Sequence, residues 1–99
     1  MIVEVADFKI SAGNRDAFSE AITQAASTVL AKAGGYLGHR ILACRESPER
    51  FVLIVEWDSL EANTVGFRHS PAFTEWRAII GPFFQHPPHV EHFEVVAAS

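Results

Sequence analysis

The segment IVEVADFK, residues 2–9, is rich in β-branched and apolar residues and predicts a first strand. A polar break, Ser11-Ala12-Gly13-Asn14, follows, with Asn14 placed to cap a helix. From Arg15 to Ala33 the apolar residues Phe18, Ile22, Ala25, Val29 and Ala33 recur at three- and four-residue steps, which marks one face of an amphipathic helix. Gly34-Gly35 ends that run, because glycine tolerates the left-handed turn that closes many helices. YLGHRILACR, residues 36–45, predicts a second strand. Glu46-Ser47-Pro48-Glu49-Arg50 predicts a hairpin loop. Then comes FVLIVEW, residues 51–57, in which five apolar residues run unbroken before Glu56 and Trp57.

Asp58-Ser59 opens a second helical region with Ser59 as its cap and Leu60, Thr64 and Phe67 on one stripe. Ser70-Pro71 interrupts it, since proline disfavours helical geometry at the residue before it and suits a helix's first turn. Two short helices in series are expected, the second with Phe73, Trp76, Arg77 and Ile80 inward and Gly81-Pro82 at its end. Phe83 to Pro88 is an ordered loop, and His89 to Val96 a last strand. The order is β-α-β-β-α-β, the ferredoxin-like α+β arrangement, with a four-stranded antiparallel sheet in a single domain over residues 1–99. Right-handed crossovers leave the first and third strands central.

A central position explains why FVLIVEW lacks polar residues along most of its length, but the two helices cover only one sheet face. Phe51, Leu53, Val55 and Trp57 share one face; Val52, Ile54 and Glu56 share the other. The first strand likewise sets Ile2, Ala6 and Phe8 against Val3 and Val5. Nothing in the chain is left for the second face, so a homodimer packed sheet to sheet is expected, burying roughly 800 Å² per partner. Composition strengthens this: 48% of the 99 residues are apolar, and a chain this short buries only about 60–65% of its surface.

Charge and cysteine content narrow the function classes. The net charge is −4 with no Lys/Arg run, which argues against a nucleic-acid partner. No apolar run approaches the ~20 residues that span a membrane, and MIVEVADFKI reads as a strand rather than a signal peptide. A single cysteine, Cys44, fits a reducing cytoplasmic location and, on an apolar strand, a core position. No phosphate-binding glycine loop is present, and nothing indicates NAD or FAD.

The unit VEWDSLEANTVGFRHSPAF, with Glu56, Trp57, Ser70, Pro71 and Phe73, resembles the central signature of the antibiotic biosynthesis monooxygenase family, and GHRILACRESPERFVLIVEW resembles its strand-loop-strand. The resemblance covers nearly the whole chain. It implies a dimeric α+β barrel. It also implies, by likeness to the branch that oxidises aromatic polyketides, a cofactor-independent monooxygenase that deprotonates a phenol and lets the resulting anion reduce dioxygen. Trp57 and Arg77 match that branch's tryptophan and arginine. Its asparagine and tyrosine are replaced by Leu53 and Asn63. The haem-degrading branch's ligand positions become Ala6, Phe67 and Arg77, and the histidine of a branch acting on signalling molecules becomes Phe67; both matches are broken.

A small aromatic or quinol-like substrate is therefore expected between sheet and helices, against Leu53, Asn63, Phe67, Phe73, Trp76 and Phe84, with Phe83-Phe84 as a lid. Arg77 would hold an anion, or pair with an acid as an ordinary buried arginine must. Trp57 offers an apolar wall and one N–H donor. His69, before Ser70-Pro71 at the pocket mouth, is the candidate base, with a solvated helix-end histidine as the alternative. Glu56 is expected at the dimer seam, bridging to Arg40 or Arg45. His86, His89, Glu91 and His92 resemble a metal cluster, but strand alternation turns His89 and His92 to opposite faces, so no metal site is expected. A non-catalytic ligand-binding module on the same fold is the competing reading.

Overall fold

The computed structural model describes residues 1–99. Four antiparallel strands, β1 (Ile2–Lys9), β2 (Tyr36–Ala43), β3 (Arg50–Trp57) and β4 (His89–Glu94), form one sheet in the order β2-β3-β1-β4. Helix α1 (Arg15–Thr28), a π-helix (Ala62–Phe67) and α2 (Pro71–Ile80) complete the βαββαβ, ferredoxin-like α+β fold. The two central strands, β1 and β3, carry apolar residues on both faces along most of their length. Phe51, Leu53, Val55 and Trp57 of β3 are buried under the helices beside Ala6 and Phe8 of β1.

The helical stripes hold, with two displacements. Phe18, Ile22, Ala25 and Val29 are buried as their spacing requires, but the α-helix closes at Thr28 and a 3-10 turn, Leu30–Lys32, follows. Gly35, at φ 81°, makes the reversal into β2; a Cβ there would meet Asp58 Oδ1 and the Ala62 Cβ at 2.6 Å. The second helical region begins with Ser59 accepting the Ala62 N–H at 3.2 Å, then widens into π geometry. The wider turn changes which residues face inward. Asn63 and Phe67 are buried, Thr64 is half-buried, and Leu60, expected on the inner stripe, is exposed. Ser70 caps α2 by accepting the Phe73 N–H at 3.3 Å, and Pro71 occupies the first turn.

Phe18 is the hub of the core. Its ring meets those of Phe8, Phe51, Phe83 and Phe84 edge to face, at 5.0 to 6.3 Å between centroids. Cys44 lies one residue beyond β2 and is partly exposed, 3.8 Å from Glu46 Oε1; its N–H still bonds Arg50 C=O at 3.0 Å, and alternation puts it with Leu42 on the uncovered sheet face, outside the core where it was expected.

The opposite sheet face carries Val3 and Val5 of β1, Val52 and Ile54 of β3, Leu42 of β2 and Phe93 of β4, aligned by register. No element of the chain covers it. Leu42 and Phe93 are exposed, and the four central residues are only half-buried. Glu56 is exposed at the end of this face, across from Gly38 and diagonal to Arg40, and makes no ion pair within the chain.

Candidate active site

Between the sheet and the π-helix–α2 segment lies a cavity of about 460 Å³, within the range of small-molecule sites. Its floor is the inner sheet face: Glu4, Ala6 and Phe8 of β1, Leu53 of β3 and Val90 of β4. Asn63, Phe67, Trp76 and Ile80 close it from the helical side. Its rim is set by exposed or half-exposed residues: Arg68, Phe73 and Arg77 on one side, Phe84, His86 and Pro87 on the other.

The floor holds a carboxylate. Strand alternation that buries Ala6 and Phe8 also turns Glu4 inward, and it is 8% exposed. Trp57 Nε1–H donates to Glu4 Oε1 at 2.9 Å. The second oxygen, Oε2, takes no hydrogen bond from the protein. No buried side-chain oxygen or nitrogen lacks a partner, so Oε2 opens on the cavity. Trp57 itself is fully buried and stands behind the cavity wall. The Phe67 ring, 5.6 Å away, and the edge of Tyr36, at 6.3 Å, fix the indole plane. The expected role of Trp57 as a wall is therefore corrected: register places it opposite Ile2, under the π-helix, where it orients Glu4.

A second polar pair adjoins the first. His92, the register partner of Glu4 on β4, faces the same side, and its Nε2–H donates to Asn63 Oδ1 at 2.6 Å. Asn63 is 1% exposed, and its amide nitrogen makes no bond to the protein and faces the cavity. An acceptor on Glu4 and a donor on Asn63 are thus presented at the inner end of an otherwise apolar space. Burial pushes the Tyr36 phenol above its usual pKa, and its hydroxyl is 2.5 Å from His39 Nδ1, on the inner face of β2 beside Val55.

Leu53, Asn63, Phe67, Phe73, Trp76 and Phe84, expected around the pocket, all line this cavity. The Phe83-Phe84 segment divides: Phe84 stacks on Phe8 at 5.0 Å on the rim, while Phe83 turns to Phe18, and Gln85 N–H bonds Lys9 C=O at 2.9 Å, pinning the loop. Arg77 reaches the cavity from the rim rather than from the inner stripe. Trp76 and Ile80 take that stripe, and Arg77 flanks it, exposed, with no salt bridge. His69 is exposed and does not line the cavity; the turn after the π-helix sends Arg68 to the rim and His69 to solvent. His89 and Glu91 share the outer sheet face and meet at 3.0 Å, while His92 points inward. No three His, Cys, Asp or Glu residues converge as a metal site would require.

Glu4 is the residue that the composition of the first strand concealed. Its signal was the alternation itself: Ile2, Ala6 and Phe8 were readable as one face, and position 4 belongs to it.

Residues 1–79 match the family model for antibiotic biosynthesis monooxygenases. The chain is 38% identical to YczJ, an uncharacterized protein of Bacillus subtilis (strain 168), over 97% of this chain and 100% of that protein. Its fold superposes with a TM-score of 0.90 on a candidate antibiotic biosynthesis monooxygenase from Bordetella bronchiseptica, 32% identical, with 97% of each chain covered. It also superposes, with a TM-score of 0.82 at 18% identity, on a variant of SnoaB, a cofactor-independent oxygenase from Streptomyces nogalater, covering 98% of this chain and 94% of that one. At that identity the likeness to SnoaB concerns the fold.

Proposed function

The chain belongs to the antibiotic biosynthesis monooxygenase family, and from that premise we propose that it is a cofactor-independent monooxygenase acting on a small phenolic or quinol-like aromatic. The observation that carries this reading is the cavity: apolar and aromatic walls enclosing one carboxylate, Glu4, whose free oxygen faces the interior space. Family membership and the oxygenase function of SnoaB support it.

The chemistry follows from the donor and acceptor arrangement. A phenol entering the cavity donates its O–H to Glu4 Oε2, which takes the proton and leaves a delocalised anion with carbanion character on the ring. That carbon gives electrons to dioxygen and forms a peroxide anion, which takes back the proton from Glu4; the hydrogen on the attacked carbon is then given up as the O–O bond breaks. Loss of water then leaves a quinone, with one oxygen atom in the product and the other in water. The Asn63 amide N–H is placed to bond an anionic oxygen, and the positive rim favours the anion over the neutral phenol. Apolar walls exclude water and strengthen both effects. Trp57 acts through Glu4 as a positioning residue. His69, which does not line the cavity, is given no role in this reading.

The test is oxygen uptake across a panel of phenols and hydroquinones with metal-free, chelator-treated protein. Incorporation of one atom from labelled dioxygen into product is the expected result. Ligand-dependent stabilisation without oxygen uptake or product would instead identify a binding module.

The active form in this reading is a homodimer, as is typical of the family. The support is the uncovered face of Val3, Val5, Val52 and Ile54, flanked by Leu42 and Phe93. Charge at its centre is expected to prevent association. Sedimentation of Ile54→Lys should give a monomer at micromolar concentration where the parent chain gives a dimer. A monomeric parent would reject the sheet-to-sheet assembly.

A further inference from the structure

The distribution of charge around the cavity says more about the substrate than its aromatic walls do. Glu4 is the only carboxylate that lines the cavity, and it lies on the floor, engaged by Trp57. Arg68 and Arg77 are the only cationic Lys or Arg side chains that line it, and both lie on the rim. Neither forms a salt bridge or a side-chain hydrogen bond. Both are tethered to one ring: the Arg68 Cζ is 5.8 Å and the Arg77 Cζ 6.0 Å from the Phe73 centroid. Two guanidinium groups beside one aromatic, with no acid between them, repel each other unless an anion joins them. Each also sits near a helix C-terminal end, which favours a cation there. That preference explains one charge at each helix end, but not why both converge on the same opening in a chain of net charge −4.

We propose that the substrate is amphipathic: a hydroxyaryl body whose phenol reaches Glu4, and whose far end carries a permanent oxyanion held at the rim by Arg68 and Arg77. This rests on the proposed reading of the cavity as an aromatic-substrate site, and narrows it to anionic hydroxyaryl compounds. Guanidinium donors take carboxylate, sulfonate or phosphate oxygens in forked geometry, so the rim reads an oxyanion, and Phe73 beneath it supports the ring. Arg77 is on this account a specificity residue at the substrate's outer end, away from the reacting carbon.

The experiment compares 2-naphthol, 6-hydroxy-2-naphthoate and 6-hydroxynaphthalene-2-sulfonate by quenching of tryptophan fluorescence, to which Trp76 on the cavity wall contributes, in the intact protein, at low and high salt. Both anionic probes are expected to bind roughly tenfold or more tightly than the naphthol, with the preference shrinking as salt rises. A preference for one anionic probe over the other distinguishes a carboxylate from a sulfate-like group. In the Arg68→Gln/Arg77→Gln double variant the ratio of anionic to neutral affinity is expected to fall close to one. Equal binding of all three probes to the parent protein would overturn the proposal, as would a preference that survives the double substitution. Because binding is read without turnover, a preserved charge preference with no oxygen uptake would reject the oxygenase reading alone. Absence of binding by any probe would reject the aromatic site and this proposal together.

Discussion

Replacing Glu4 by glutamine is expected to lower kcat for phenol oxidation by about 10²–10⁴-fold, the contribution of a positioned general base. The substitution is nearly isosteric. The amide oxygen can still accept the Trp57 N–H that now reaches Oε1 at 2.9 Å, so the cavity and the indole keep their places. What is lost is the acceptor at Oε2, which becomes an amide nitrogen that cannot take the phenolic proton. The thermal midpoint should therefore stay within a few degrees while oxygen uptake collapses. Trp57→Phe completes the test. It leaves the carboxylate but removes the donor that aims it, and a smaller loss of about ten- to a hundredfold is expected. Stopped-flow or electrode measurements of oxygen uptake for both variants decide the matter. Glu4→Gln protein that keeps more than a tenth of the parent kcat would remove Glu4 from the mechanism.

Phe18→Ala should cost about 3–5 kcal/mol of folding stability, a large part of the 5–15 kcal/mol typical of a domain. The side chain has no solvent exposure and touches four other phenylalanine rings. Truncation therefore loses both the transfer free energy of the ring and the edge-to-face contacts around it, and the surrounding rings cannot all move inward because strands β1 and β3 hold Phe8 and Phe51 in register. Urea unfolding at one fixed protein concentration, needed because dimer formation would add a concentration-dependent term, should show the midpoint falling sharply. Phe8 and Phe84, which stack on each other and also line the cavity, depend on this hub, so ligand binding should weaken alongside stability. A loss below about 1 kcal/mol would show that the aromatic cluster is not the centre of the core.

Much of this architecture is legible in the sequence. Strand alternation and helical stripes are local consequences of backbone geometry, and Phe18, Ile22, Ala25 and Val29 could be placed on one buried face from spacing alone. The proline after Ser70 marked a helix start for a steric reason that acts within two residues. The apolar run of β3 implied a central strand because only a central strand buried on both sides tolerates it. The pocket walls Leu53, Phe67, Phe73, Trp76 and Phe84 followed from those faces.

Other features depended on long-range arrangement. The π-helix differs from an α-helix by one residue per hydrogen-bonded turn, a difference that composition does not report. It turned Leu60 outward and put Asn63, expected at the pocket only through the family resemblance, in place of Thr64 on the buried side. Cys44 lies outside the core because the pairing register puts it with Leu42 on the uncovered face, and His69 left the site because the turn after the π-helix presents its neighbour instead. Trp57 and Glu4 are 53 residues apart. Their hydrogen bond exists because β1 and β3 pair antiparallel, an event that no local pattern encodes.

The sequence by itself determined the faces: which residues of each strand and helix must be hidden, since periodicity and burial are set by the neighbouring few residues. Only the tertiary structure decided the chemistry. A carboxylate, an indole N–H, an amide and two guanidinium groups from separate segments acquire a joint function when chain pairing brings them around one cavity, and their distances are properties of the packed whole.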